Sequence, residues 1–151
     1  MIAPRYFEDF KVGTVIEVDG PTVTESDIVE FAAKYDPQWF HVDPGRAKSS
    51  IYGGLIASGW HTGSLCRRMM CDAYVLSSAS LGSPGLEQLR WLKPLRPDDR
   101  LRMRMTVIEA RPSQSKPDRG TVLHRWEVFN QTGEKLMEMT GYAMFLKKPH
   151  E

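Results

Sequence analysis

The stretch YDPQWFHVDP, residues 35–44, is followed closely by YGGLIASGW, residues 52–60, and the rest of the chain is organised around these two segments. A carboxylate (Asp36), an imidazole (His41), glycine turns and the start of a helix converge there within a short span. The rigid, apolar spacer between Asp36 and His41 can bend the chain so that both polar side chains enter one partly dry pocket. Such a pocket makes a carboxylate and an imidazole a useful acid/base pair.

On the N-terminal side of this stretch, the pattern predicts a short amphipathic helix. Thr24 is the expected N-cap, Asp27 follows three residues later, and apolar residues recur at i, i+3, i+4 and i+7 from Ile28. Pro37 disfavours α geometry at Asp36. The Asp36 carboxylate is therefore expected just past the helix end, on extended backbone.

On the C-terminal side, the pattern predicts a connecting stretch with one helical turn at residues 45–48, then a tight turn at Gly53-Gly54. Residues 58 to about 77 carry apolar side chains on a helical repeat, so we expect the longest and most buried helix there. Residues 80–85 are rich in Ser, Gly and Pro, which predicts the end of that helix and a loop leading to strands.

The remaining segments read as β-strands. The first strand is expected at residues 14–18, before a break at Gly20-Pro21 and a short extended segment at Thr22-Val23. The later strands are expected at residues 86–92, 101–107, 121–129 and 135–146. A long loop is expected at residues 111–120 and a hairpin connection at residues 130–133. This order predicts an α+β fold in which an antiparallel sheet lays its apolar face on the long helix. The open sheet edge makes a homodimer or a higher homo-oligomer the expected assembly.

Length and composition exclude several classes of protein. A chain of 151 residues fits one domain, residues 1–151, and 41% hydrophobic with 26% charged residues is typical of a soluble globular protein. The net charge of +1, without a basic stripe, argues against a nucleic-acid partner. No apolar run has the length of a signal peptide or of a membrane span, so we expect no membrane partner and a cytoplasmic location.

No residues have the spacing of a metal site, and no metal or cofactor is expected. Cys66 and Cys71 lie five apart in the predicted long helix and project roughly 140° from each other, so they are read as two free thiols.

The residues from 36 to 59 resemble the MaoC-like hydratase/dehydratase family, whose fold is the hot dog, an antiparallel sheet wrapped around a long central helix. Asp36, His41 and Asp43 match the family's Asp, His and following acidic residue, and the resemblance extends from about residue 7 to 145. In the downstream motif Tyr52, Ile56 and Gly59 match. Gln38-Trp39 replaces the family's Asn-Pro, and Ser58 replaces the His of its His-Gly pair.

The resemblance implies a 2-enoyl thioester of coenzyme A as substrate class, with water added reversibly across the double bond. Asp36 and His41 would hold the water, with Asp36 favoured as the base and Gln38 supplying a supporting amide. Backbone N–H groups near Gly54, or at the helix start near Ser58 and Gly59, would stabilise the enolate oxygen. Coenzyme A would enter only as part of the substrate.

Alternative interpretations stay open at this point. A hot-dog thioesterase would hydrolyse the same thioester, and a non-catalytic acyl-thioester binding subunit is suggested by Ser58 in place of His. An Asp-Pro after a helix is often only a turn, and a loop His is often only a surface residue.

Two other features favour structural roles. Arg100, Arg102 and Arg104 are predicted to form a solvated strand face, and His124 to be a hydrogen-bonded structural residue. His61 can either line the pocket or pack.

Overall fold

A five-stranded antiparallel sheet wraps one helix of twelve residues in the computed structural model, which describes residues 4–150. This is the hot-dog arrangement expected above. The helices are α1 (Glu25–Tyr35), α2 (Trp39–Val42), α3 (Pro44–Ala47) and α4 (Gly59–Met70), and the strands are β1 (Val15–Thr22), β2 (Ser80–Trp91), β3 (Arg100–Pro112), β4 (Arg119–Phe129) and β5 (Lys135–Leu146). A 3-10 turn at Phe7–Asp9 precedes β1, and a π-helical turn at Cys71–Val75 follows α4.

The strand order in the sheet is β1-β3-β4-β5-β2, and every neighbouring pair is antiparallel. The three consecutive strands β3, β4 and β5 form a meander, because hairpin connections keep them adjacent. β1 and β2 are left as the two edges. The candidate site is built where β2 ends beside the start of α4, so its position depends on this topology.

The core lies between α4 and the concave face of the sheet. The predicted alternation of β3 is confirmed, since Leu101, Met103, Met105 and Val107 are each at most 1% exposed. α4 contributes Cys66, Met69 and Met70 to the same cluster. Burial of such side chains stabilises the fold by about 1.5 to 3 kcal/mol each, so α4 is held mainly by its buried face.

The first helix begins and ends as predicted. The Thr24 hydroxyl accepts the Asp27 N–H at 3.1 Å, and the Asp27 carboxylate accepts the Thr24 N–H at 3.0 Å, which completes a capping box. Asp36 is the C-cap, with φ −153°, so its side chain leaves the helix end as expected.

Two strands run through segments that were predicted to interrupt them. β1 continues through Gly20-Pro21 as far as Thr22 with a register shift after Asp19, and a proline is tolerated because β1 is an edge strand. Gly20 also lets α4 approach closely, since a Cβ there would lie 2.4 Å from Met69 Sδ. The expected loop at residues 80–85 is instead the irregular first half of β2, where register shifts accompany Gly82 (φ 91°).

The other boundaries differ for local reasons. α4 ends at Met70 rather than near residue 77, and the π-helical turn replaces its last part. The predicted loop at 111–120 shrinks to residues 113–118, because Pro112 still pairs with Gly120. α2 was not predicted, since four residues give no periodic pattern, and the predicted turn at 45–48 is α3.

The outer face of the sheet carries ion pairs. Arg102 and Arg104 contact the Glu17 carboxylate at 2.7 and 2.9 Å, and all three side chains are more than a third exposed. The prediction of a solvated arginine face on β3 is therefore confirmed, with Glu17 of β1 as its counter-ion.

His124 is buried without the hydrogen bonds that were predicted for it. Its ring packs in an aromatic box with centroids 4.9 Å from Trp126 and 5.8 Å from Phe10, and neither ring nitrogen has a partner among residues 4–150. The sequence pattern identified the inward face of β4 correctly, but it could not show that aromatic rings pack against the imidazole. Burial lowers the pKa of His124 from 6.5 to about 4.

Acid should therefore destabilise the fold through His124. As the pH falls below 6.5, His124 becomes protonated in the unfolded chain, but in the folded chain it stays neutral until about pH 4. The folding stability that His124 contributes is therefore fully present above pH 6.5 and is lost as the pH falls from 6.5 to about 4. At about 1.4 kcal/mol per pH unit, the loss from about pH 7 to pH 5 is roughly 2 kcal/mol. Urea unfolding of His124→Phe, which keeps an aromatic ring, should show a flatter pH dependence than the wild type. An identical slope in both proteins would contradict this assignment.

Candidate active site

The Asp36 carboxylate is held at the end of α1 by its own backbone and by a neighbouring amide. The Asp36 N–H donates to the Ala32 carbonyl at 2.8 Å, which fixes the main chain. The Gln38 Nε2 donates to Asp36 Oδ1 at 2.8 Å. The supporting amide expected at Gln38 is thus in contact with the carboxylate, and Oδ2 is left to face His41.

His41 lies on α2 with 5% of its surface exposed. Its Nδ1 is 2.7 Å from the Ile56 carbonyl oxygen. Because a carbonyl only accepts, Nδ1 carries a proton, and the neutral ring then presents a lone pair at Nε2. The Ile56 N–H in turn donates to the Phe40 carbonyl at 3.2 Å. Two hydrogen bonds therefore join α2 to the segment before α4.

The two functional groups face each other at the bottom of the site. His41 Nε2 lies 3.4 Å from Asp36 Oδ2, and the two side chains are 6% and 19% exposed. This separation exceeds an ordinary hydrogen bond. Two acceptors at this distance, in a place that solvent barely reaches, are suited to binding one water molecule that donates to both.

Ser58 is fully buried and connects the helix start to the carboxylate. Its hydroxyl accepts the Trp60 N–H at 3.3 Å as the N-cap of α4. Burial acts to raise the pKa of Asp36, but hydrogen bonding by Ser58 and Gln38 and the neighbouring imidazole of His41 outweigh it, so the pKa of that carboxyl lies below its usual value. Asp36 is therefore a carboxylate at neutral pH, able to accept a proton.

The N–H of Gly59 is a free donor in the first turn of α4. Four amides around it are engaged: the N–H groups of Ala57, Trp60, His61 and Thr62 all have partners. Among residues 4–150 none accepts from the Gly59 N–H. A free N–H in the first turn of a helix favours negative charge.

These groups open into a cleft of about 430 Å³. Its wall is largely aromatic and aliphatic, which suits an acyl group. The residues that line it are Asp36, Gln38, Phe40, His41, Tyr52, Ile56, Ala57, Gly59, Trp60, Thr62, Trp91, Leu92, Lys93, Pro94 and Leu95.

Two other candidates lie elsewhere. Gly54 is not among the residues lining the cleft, and a Cβ on it would face Arg96 Nη1 at 3.8 Å. His61 stacks on Phe31 with ring centroids 4.5 Å apart and lines a separate groove, so it packs rather than joining Asp36 and His41. The structure therefore brings together Asp36, His41, Gln38, Ser58 and Gly59, and separates Gly54 from them.

Some site residues had no signal in the local sequence. Trp91 and Leu95 reach the cleft only because the end of β2 and the segment after it fold back beside α4. Lys93 also lines the cleft, with its Nζ 2.5 Å from Glu134. Within residues 4–150 no cluster of three or more His, Cys, Asp and Glu side chains is placed to hold a metal ion.

Comparison with known families identifies one match over most of the chain. Residues 9–126 match the model of the MaoC like domain. Separately, no helix within the described residues is long and apolar enough to span a membrane.

Individual relatives agree with this match. The crystal structure of a MaoC-like dehydratase from Rhodospirillum rubrum has a TM-score of 0.88 and 34% identity, covering 96% of this chain and 99% of that one. The uncharacterized protein YdeM of Bacillus subtilis is 28% identical over 87% of this chain and 92% of its own. The 3-hydroxyacyl-thioester dehydratase Z of Mycobacterium tuberculosis is 33% identical over 65% of this chain and 64% of its own length.

Proposed function

The chain belongs to the MaoC-like hydratase/dehydratase family, and we propose that it adds water reversibly across the double bond of a 2-enoyl thioester of coenzyme A. The observation that carries this proposal is the approach of Asp36 Oδ2 to His41 Nε2 at 3.4 Å, beside the free N–H of Gly59. A hydration site needs a water-activating pair and a donor for the thioester oxygen, and this cleft offers both.

In the proposed reaction one water molecule donates its hydrogens to Asp36 and His41. As its oxygen attacks the β carbon, the pair takes up one water proton, and the electrons of the double bond move to the thioester oxygen. The Gly59 N–H stabilises the resulting enolate oxygen. The α carbon then receives a proton from the same pair, so that H and OH are added in sum.

The acid/base roles follow from the charges at the site. The lowered pKa of Asp36 keeps it ionised, which makes it the base, while the Nδ1 bond to the Ile56 carbonyl keeps the His41 lone pair on the water. Gln38 fixes the carboxylate so that Oδ2, rather than Oδ1, meets the water.

A screen of 2-enoyl and 3-hydroxyacyl thioesters of coenzyme A, followed by the absorbance of the conjugated enoyl group, tests this function. Hydratase activity removes that absorbance without releasing a thiol. Release of free coenzyme A would instead show a thioesterase, and tight binding without turnover would show an acyl-thioester binding subunit.

Ser58→Ala should affect both stability and turnover. Loss of the N-cap costs about 1 kcal/mol of folding stability. Loss of the hydroxyl beside Asp36 removes roughly 1 to 3 kcal/mol of transition-state stabilisation, a tenfold to hundredfold fall in turnover. Melting temperature and kcat are measured on the same preparation. A variant that melts lower but turns over like the wild type would restrict Ser58 to capping.

We propose a homodimer as the assembled form. β2 is an edge strand, and Leu86 on it is 50% exposed, so a second copy can pair along this edge. Sedimentation at micromolar concentration should then report about twice the chain mass of 17.2 kDa. An active monomer under those conditions would rule this assembly out.

A further inference from the structure

Trp91, at the end of β2, holds the first turn of α4 at Gly59. Its indole Nε1–H donates to the Gly59 carbonyl at 2.8 Å, across 32 residues of chain. The ring lies directly against the glycine, since a Cβ on Gly59 would stand 2.4 Å from Trp91 Cε2. A glycine is required at this position because the indole occupies the place of any larger side chain.

The hydrogen bonds around Gly59 fix both of its peptide groups. The Ser58 carbonyl accepts from the His61 and Thr62 N–H groups at 2.9 and 3.3 Å, so the Gly59 N–H of that same peptide unit points outward from the helix. The next peptide unit is held at its N–H by the Ser58 hydroxyl, and at its carbonyl by Trp91.

Glycine has more backbone freedom than any other residue, so its orientation depends on outside contacts. Trp91 supplies the contact that comes from outside the local segment. Its ring also packs against one side of the helix start at Gly59.

We propose that Trp91 is a positioning residue that aims the Gly59 N–H at the carbonyl oxygen of a bound thioester. This inference rests on the proposed function and adds to it a residue of the edge strand β2. Trp91 acts through Gly59, and the carbonyl oxygen of the substrate is the atom whose binding depends on it. An orienting contact affects the developing enolate more than the ground state, so kcat should respond more than KM.

The first test is Trp91→Phe, which keeps an aromatic ring on Gly59 and removes only the N–H donor. We expect kcat to fall about 3- to 10-fold and KM to rise by no more than about threefold. Trp39→Phe is the matched control, because Trp39 lies outside the cleft with its ring over the Arg46 guanidinium at 4.6 Å. Loss of activity in both variants alike, or wild-type kcat in Trp91→Phe, would overturn the inference.

The second test separates this inference from the proposed function. Calorimetry compares the binding of butyryl-coenzyme A with that of S-butyl-coenzyme A, a thioether that lacks the carbonyl oxygen. Trp91→Phe should weaken binding of the thioester about two- to threefold, less than it lowers kcat, and leave binding of the thioether unchanged. Equal weakening of both ligands, or binding of neither by the wild type, contradicts the role of Trp91.

The two failures are distinguishable. If the wild type hydrates no enoyl thioester, but Trp91→Phe selectively weakens thioester binding, the proposed function is wrong and the positioning role of Trp91 stands. If the wild type hydrates enoyl thioesters, but Trp91→Phe weakens binding of the thioester and the thioether equally, the proposed function stands and the positioning role of Trp91 is wrong.

Discussion

Asp36→Asn is expected to lower kcat by about 10² or more while leaving the melting temperature nearly unchanged. The asparagine has the same shape and can still accept from the Gln38 amide through its oxygen, so α1 and its C-cap persist. What it lacks is the negative charge that accepts the proton of water. In addition, where Oδ2 of the aspartate presents an acceptor to His41, the amide nitrogen of the asparagine presents a donor.

Asp43→Asn provides a matched control for Asp36→Asn. Asp43 also belongs to the family motif, but its carboxylate caps α3 by accepting the Arg46 N–H at 3.0 Å, and asparagine caps helices equally well. Its turnover and stability should match the wild type. Hydration by folded Asp36→Asn at the wild-type rate would remove Asp36 from the mechanism.

His41→Asn should reduce kcat by a similar factor of about 10². The amide nitrogen of asparagine occupies nearly the position of Nδ1, so it can keep the hydrogen bond to the Ile56 carbonyl. The group that is lost is Nε2, the second acceptor for the water. Stability should therefore fall by less than for His41→Ala, which leaves that buried carbonyl without a partner.

His41→Gln removes the opposite half of the imidazole. Its terminal amide can reach the position of Nε2 but not that of Nδ1, so the variant should retain more turnover than His41→Asn and lose more stability. Steady-state kinetics and thermal melts of the two variants measure both quantities. If the order of turnover is reversed, Nε2 is not the atom that binds the water.

The site was predictable from sequence where its parts are close along the chain. Asp36, Gln38 and His41 lie within six residues of chain around Pro37, and Gly59 at the helix start matches the family motif. The tautomer of His41 was not predictable, because it is set by the main-chain carbonyl of Ile56, which has no sequence signature. Trp91 was missed for the same reason, since its contact with Gly59 depends on the pairing of β2 with β5.

In the fold, too, local features were predictable from sequence and features set by distant strands were not. The period of β3 and the cap of α1 are local properties, and both were predicted correctly. Residues 80–85 have the composition of a loop, yet they are a strand because β5 supplies partners that composition cannot show.

The most direct test of the proposed function is an approach to equilibrium from both sides. Purified protein is mixed in one reaction with a 2-enoyl thioester of coenzyme A and in another with the corresponding 3-hydroxyacyl thioester, and enoyl absorbance and free thiol are followed together. We predict that both reactions reach the same ratio of the two thioesters, that no thiol is released, and that Asp36→Asn slows both directions about 10²-fold. Unchanged absorbance in both reactions for every thioester screened, or release of coenzyme A in step with the reaction, would contradict the account.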